Sequence, residues 1–190
     1  MSPQRNIVMN FINEFGIKYS HLKAAAQFTA KLDVRFYLMG VLVKDGMIAA
    51  TNGHAALICD APEVPDVELI IPRETVESLI KKVGNKPRED VLRLRQIDDE
   101  FWLIDWQNES FEFFRPVPGK FPDIKRVDIS KPTEPPKEFA QWDLNYISAF
   151  IKVTKILGIT YPLFYPTGKN TSTYVELNDE VHGILMPIRI

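Results

Sequence analysis

Apolar residues recur at helical spacing in three stretches of the chain. From Ser20 to Lys31, the residues Leu22, Ala25, Ala26 and Thr29 form an apolar or small stripe, while Lys23, Gln27 and Lys31 share another face. A second helix is predicted from Pro72, suited to a first helical turn, to just before Gly84, suited to a C-terminal cap. Its stripe is Val76, Leu79, Ile80 and Val83. The third begins after Asp143, a side chain that can cap the first turn, and stops at Gly158. There Ile147, Phe150, Ile151 and Thr154 face one way, and Asn145, Ser148, Lys152 and Lys155 the other.

Each helix is followed by strand-like segments. After the first come Phe36 to Val43, Met47 to Ala50 and Ala55 to Cys59, separated by Asp45-Gly46 and Asn52-Gly53. Such dipeptides tolerate positive φ and mark hairpins. After the second come Val91 to Ile97, Phe101 to Trp106 and Ser110 to Arg115. After the third come Ile159 to Tyr165, Thr173 to Leu177 and Gly183 to Ile188. Leading strands are expected at Val8 to Ile12, Val67 to Ile71 and Lys137 to Trp142. The order is strand, helix, three strands, stated three times, which implies duplicated units in an α+β fold. The expected organisation is a two-unit domain over 1–127 with a break near 61–66, a proline-rich linker over 128–137 and a third unit over 138–190.

Composition adds bounds. With 190 residues, 45% of them hydrophobic, and a net charge of -2, the chain supports a folded core and is no disordered or simply basic coating protein. One cysteine, Cys59, excludes an internal disulfide framework. No stretch reaches the about 18–20 apolar residues of a membrane span, and the N-terminus lacks a secretory pattern, so a cytoplasmic protein is expected. Charge is unevenly placed: residues 18–31 carry +3, 72–88 carry +3 and 143–157 carry +1, which leaves -9 elsewhere. Lysines near helix C-termini complement the macrodipole. The same lysines, Lys23, Lys31, Lys81, Lys82, Lys152 and Lys155, also suit a surface that holds a phosphate backbone without reading bases.

Several short motifs carry a family resemblance. Asp33-Val34-Arg35-Phe36-Tyr37-Leu38-Met39-Gly40, then Ala50-Thr51-Asn52-Gly53-His54, resemble text of the bacterial DNA sliding clamp, the beta subunit of DNA polymerase III. Ile70-Ile71-Pro72-Arg73, Gly119-Lys120-Phe121-Pro122-Asp123 and Met186-Pro187-Ile188-Arg189 resemble further motifs of that family, in the same order. The resemblance implies a DNA clamp-like fold, with antiparallel sheets outside and helices lining one inner face. It implies a processivity factor that encircles duplex DNA, is no enzyme, needs no cofactor and tethers a DNA polymerase or clamp loader through short linear motifs. The compact form fits a phage or mobile element.

By the same resemblance, a hydrophobic peptide groove is expected from Leu38, Thr51, Gly53, His54, Pro122, Val127, Ile184, Met186 and Pro187, with Tyr146 as its gate. Taken singly, Leu38, Val127, Ile184 and Met186 read as ordinary core residues; the shared motif context sets them apart. The chain departs from the family at Ala55-Ala56, where an arginine and a leucine are usual. It also carries three units where a family chain carries six, so a homo-oligomer, with a tetramer matching twelve units, is the arithmetic route to a ring. A non-encircling module that competes for clamp-binding partners is the alternative.

Other chemistry finds little support. His21, His54 and His182 lie far apart in sequence with no ligand-spaced partners, which argues against a metal site. Cys59 lacks a positioned base, and Asp98-Asp99-Glu100 reads as a solvated hairpin turn.

Overall fold

Eleven strands and three helices are present among the described residues, 10–85, 87–107, 110–136 and 138–188, of the computed structural model. Strand β1 (Glu14–Lys18) runs directly into α1 (Tyr19–Ala25), and β2 (Gly40–Lys44), β3 (Met47–Thr51) and β4 (Ala55–Asp60) follow. The second unit repeats that order as β5 (Glu68–Pro72), α2 (Arg73–Val83), β6 (Val91–Gln96), β7 (Trp102–Trp106) and β8 (Ser110–Phe114). The third supplies α3 (Leu144–Leu157), β9 (Leu163–Pro166), β10 (Thr173–Glu176) and β11 (Val181–Leu185).

The strands form two antiparallel sheets, ordered β1-β6-β7-β8 and β5-β2-β3-β4-β11-β10-β9. The first two units exchange leading strands: β1 pairs with β6, and β5 pairs with β2. The third unit joins through β4 and β11, which run antiparallel with Leu57 opposite Gly183. This junction extends one sheet from the first unit into the third.

Alternation along β2, β3 and β4 divides the core. Val41, Val43, Ile48, Ala50, Leu57 and Cys59 meet the helices, while Leu42, Ala49, Ala56, Ile58 and Ile70 pack on the opposite face with Phe121 and Ile124. A sheet covered on both faces explains why these strands read as nearly continuous apolar runs. Helix α1 packs against both α2 and α3, so the three helices form one layer. Phe28, just after α1, meets Phe150 of α3 edge-on at 4.8 Å between ring centroids.

Both ends of α3 follow from local chemistry. The Asp143 carboxylate accepts from the Asn145 backbone N–H at 2.8 Å, satisfying a donor the helix leaves open. Gly158 ends the helix at φ +69°, and the Ile159 N–H donates to the Thr154 carbonyl at 2.8 Å.

Elsewhere the elements depart from the sequence pattern. The first helix stops at Ala25 and tightens into a 3-10 turn over Ala26–Phe28 instead of reaching Lys31. Likewise Phe36–Met39 is a 3-10 turn rather than the start of a strand. The leading strand is Glu14–Lys18, downstream of Val8 to Ile12, of which residues 8 and 9 lie outside the described residues. Glu138 to Trp142 forms no strand; Gln141 accepts one backbone bond, from Ile188 N–H at 2.7 Å, and Trp142 donates to Thr173 at 3.0 Å. Pro132, Pro135 and Pro136 remove donors a ladder would need just upstream.

One buried titratable group links the first and third units. His21 on α1 is 2% exposed and lies 3.3 Å from Glu180, a carboxylate also held by Lys18. Burial, reinforced by Lys18, pushes the imidazole below its ordinary value of 6.5, and Glu180, Asp90 and Glu63 offset that only in part. The unfolded chain therefore takes up this proton more readily than the folded one, and stability falls as pH drops below about 6.5. Urea midpoints should decline between pH 7.5 and 5.5, and His21→Gln should flatten that decline. An equal decline in the variant would assign it to other groups.

A candidate peptide groove and the helical lysines

At one end of the outer core an apolar cleft of about 250 Å³ opens to solvent. Its lining includes Leu38, Thr51, Gly53, His54, Pro122, Val127, Ile184 and Met186. The structure brings these eight of the ten expected residues onto one cleft, although they come from the loops around β2 to β4, the 117–129 segment and the end of β11. Of the remaining two, Tyr146 stacks on His54 at 5.2 Å between ring centroids, and Pro187 is buried beside Met186. The lining also includes Arg35, Ala55, Ala56 and Ile124, which the motifs do not assign to the groove.

The turn between β3 and β4 is fixed by its own side chains. Thr51 Oγ1 donates to the Ala55 carbonyl at 2.9 Å and accepts from the Gly53 N–H at 3.0 Å. Asn52 Oδ1 accepts from the N–H groups of His54 and Ala55, at 2.9 and 3.0 Å. Gly53 has φ +89°, and a Cβ there would lie 3.1 Å from the Arg35 guanidinium. The Met186 N–H donates to the His54 carbonyl at 2.9 Å, which ties the chain after β11 to this turn.

Arg35 bears on the Ala55-Ala56 departure. That substitution removes a guanidinium from the family's groove pattern, yet the structure places Arg35 at the rim. Asp33 orients it through two bonds, to Nε at 3.0 Å and a terminal nitrogen at 2.8 Å. Those bonds, led by the side-chain contact, hold the Asp33 carboxyl down at about 2, so the pair stays ionised across the physiological range. Sequence proximity of Asp33 to Arg35 was the available signal. Ala56 is buried and short, which leaves room over Ile184 and Leu38 for an apolar ligand group.

Tyr146 is partly desolvated: burial, with help from Asp143, raises its phenol above its ordinary value. Tyr146 stays neutral and stacks flat against His54 at an interplanar angle of 13°. The ensemble offers an apolar floor, a cation at the rim and an aromatic side wall.

The six lysines behave unequally. Lys31, Lys81, Lys152 and Lys155 are exposed and have no ion pair among the described residues. Lys23 is half-buried over the Tyr19 ring and donates to Asn85 at 2.9 Å; loss of solvent lowers its pKa. Lys82 is paired with Glu112 at 2.9 Å and turned toward β8. Four of the six thus remain available to an external anion.

No family model matches the sequence, and no curated protein does. Solved structures do match. A DNA polymerase sliding clamp from Pseudomonas aeruginosa superposes with a TM-score of 0.70 at 18% identity, covering 100% of this chain and 70% of that one. The C. crescentus beta sliding clamp gives 0.66 at 14% identity, covering 100% and 68%. A DnaN sliding clamp from Bartonella birtlesii, bound to griselimycin, gives 0.68 at 16% identity, covering 98% and 68%. No described helix is long and apolar enough to cross a membrane. At these identities the likeness establishes architecture: the chain has the fold of the bacterial DNA polymerase III beta sliding clamps and spans about 70% of the length of those it matches.

Proposed function

We propose that the protein is a sliding-clamp-like processivity factor. Copies of the chain encircle duplex DNA, and the cleft tethers a DNA polymerase or its loader through a short Leu/Phe-containing segment. The observation that carries this reading is the convergence of eight residues from separate motifs on one apolar cleft, flanked by Tyr146 stacked on His54. Lys81, Lys152 and Lys155, exposed on the single helical layer, and Lys31 in the loop after the first helix support a sequence-independent grip on phosphates. The role involves no bond making or breaking.

A second reading also has an observation in its favour. The cleft is complete within one chain, so it can bind a peptide without any ring. The protein would then be a clamp-like module that competes for clamp-binding partners.

Retention on closed circular DNA separates the two. A clamp, once loaded, stays on a closed circle at high salt and leaves when a nuclease linearises it with free ends. Replacing Lys81, Lys152 and Lys155 together with glutamate should weaken capture at low salt. It should also flatten the log–log salt dependence, by about 0.9 in slope for each phosphate no longer neutralised. Peptide binding without topological retention would select the competitor.

A further inference from the structure

Strand β8 is one edge of the four-stranded sheet, β1 being the other. Its neighbour β7 pairs on one side, Leu103 opposite Phe113 and Asp105 opposite Phe111, and the other side has no strand among the described residues. Exposed edges are templates for another chain unless something blocks them. Here Phe111 and Phe113 are 54% and 56% exposed, on one face of the strand, and they touch edge-to-face at 5.6 Å. Lys82 guards the edge, its ammonium donating to the Phe111 carbonyl at 3.2 Å.

The repeat indicates what belongs there. In each unit the helix is followed by three strands, and the third of these is β4, β8 or β11. The junction within the chain pairs two such third strands, β4 with β11, antiparallel over five residues. Both members of that pair are therefore spent, and β8 is the third strand left over. An antiparallel pairing of like strands is two-fold symmetric in form, so the same contact can be made by β8 and its own copy.

We propose that β8 pairs with β8 of a second copy, repeating between chains the contact that β4 and β11 make within one. The register that centres Glu112 on the two-fold axis sets Phe111 opposite Phe113 of the second copy, and Phe113 opposite Phe111. Four exposed rings then form one cross-strand cluster on the outer face, where aromatic pairs are favoured. Glu112 meets its copy on the inner face, and each carboxylate keeps its Lys82 and Ser78 partners, which offsets the like-charge contact. Lys82 gives up only its bond to the Phe111 carbonyl, which a strand N–H replaces. The ring built from such contacts rests on the clamp reading; the strand pairing does not.

Light scattering at micromolar concentration tests it. The wild type should have at least twice the chain mass of 21.8 kDa, and Phe111→Asp with Phe113→Asp, both exposed and removable without disturbing the core, should halve the observed mass. Independently, Glu112→Cys should form a disulfide-linked pair under mild oxidation, because directly opposed Cα atoms fall within disulfide reach. Cys59 is buried and its thiol is pushed up by burial, so the new cysteine is the reactive one. Leu32→Cys, at a surface site outside β8, should cross-link far more slowly. A monomeric wild type, a mass unchanged by the two aspartates, or equal cross-linking at the two cysteine positions would overturn the pairing. A paired wild type that slips off circular DNA would support the contact and remove the clamp reading.

Discussion

Met186→Lys is expected to weaken binding of a short Leu/Phe-containing peptide by more than about 100-fold, roughly 3 kcal/mol, while the oligomeric mass stays the same. Met186 lines the cleft together with Ile184 and Leu38, and its sulfur accepts from Ser172 Oγ at 3.3 Å. A lysine there puts an ammonium where the ligand's apolar group would displace water, so binding must bury an unpaired charge. It also adds a like charge to a cleft that already holds Arg35. An aspartate would do less harm, because Arg35 can pair with it. Met186→Leu conserves volume and should cost under about 1.5 kcal/mol. Fluorescence anisotropy with a labelled peptide reads all three. Wild-type affinity in the lysine variant would place the ligand outside this cleft and remove the tethering half of the proposed function.

How much of this is legible in the sequence differs by level. Periodicity locates all three helices and nearly every strand, because a sheet with buried faces and helices with one apolar stripe leave strong patterns. Helix ends are readable where a side chain makes them, as at Asp143 and Gly158. They are unreadable where packing decides: Ala26 and Thr29 continue the stripe of α1, yet the chain tightens there and Phe28 packs against Phe150. Motif order brings the groove together, but it supplies residues by their match and not by their surroundings. Arg35 therefore goes unassigned although it lies within the first motif. The lysine set shows the opposite error. Counting charge by window gives Lys23 and Lys82 the same weight as the others, whereas Tyr19, Asn85 and Glu112 claim them. Most of these partners lie tens of residues away, and a window count does not see them.

The contact between the first and third units should rest on Phe150 and Gly183, and two substitutions that each damage it are expected to cancel in part. Phe150 is 0% exposed, with its ring edge-on to Phe28 and, at 6.0 Å, to Phe164. Removing it in Phe150→Ala loses the buried ring and leaves a cavity, a cost of about 3–5 kcal/mol. Gly183, in β11, lies directly beneath that ring. A Cβ at Gly183 would fall 2.8 Å from Phe150 Cζ, closer still to Cε1, and 3.1 Å from the Ala56 carbonyl. Gly183→Ala therefore forces the ring off its rotamer or moves β11 from β4, at about 1–3 kcal/mol. The backbone at Gly183 is not in the left-handed region, so the cost is steric, and the closest atoms belong to the Phe150 ring. In the double variant the new methyl enters space the ring has vacated. The Gly183→Ala cost should then shrink by about 1 kcal/mol or more, a coupling of the size seen between residues in contact. Urea unfolding of the wild type, both single variants and the double variant measures it. Strictly additive costs would mean that the Ala56 carbonyl, not the ring, makes glycine necessary in β11.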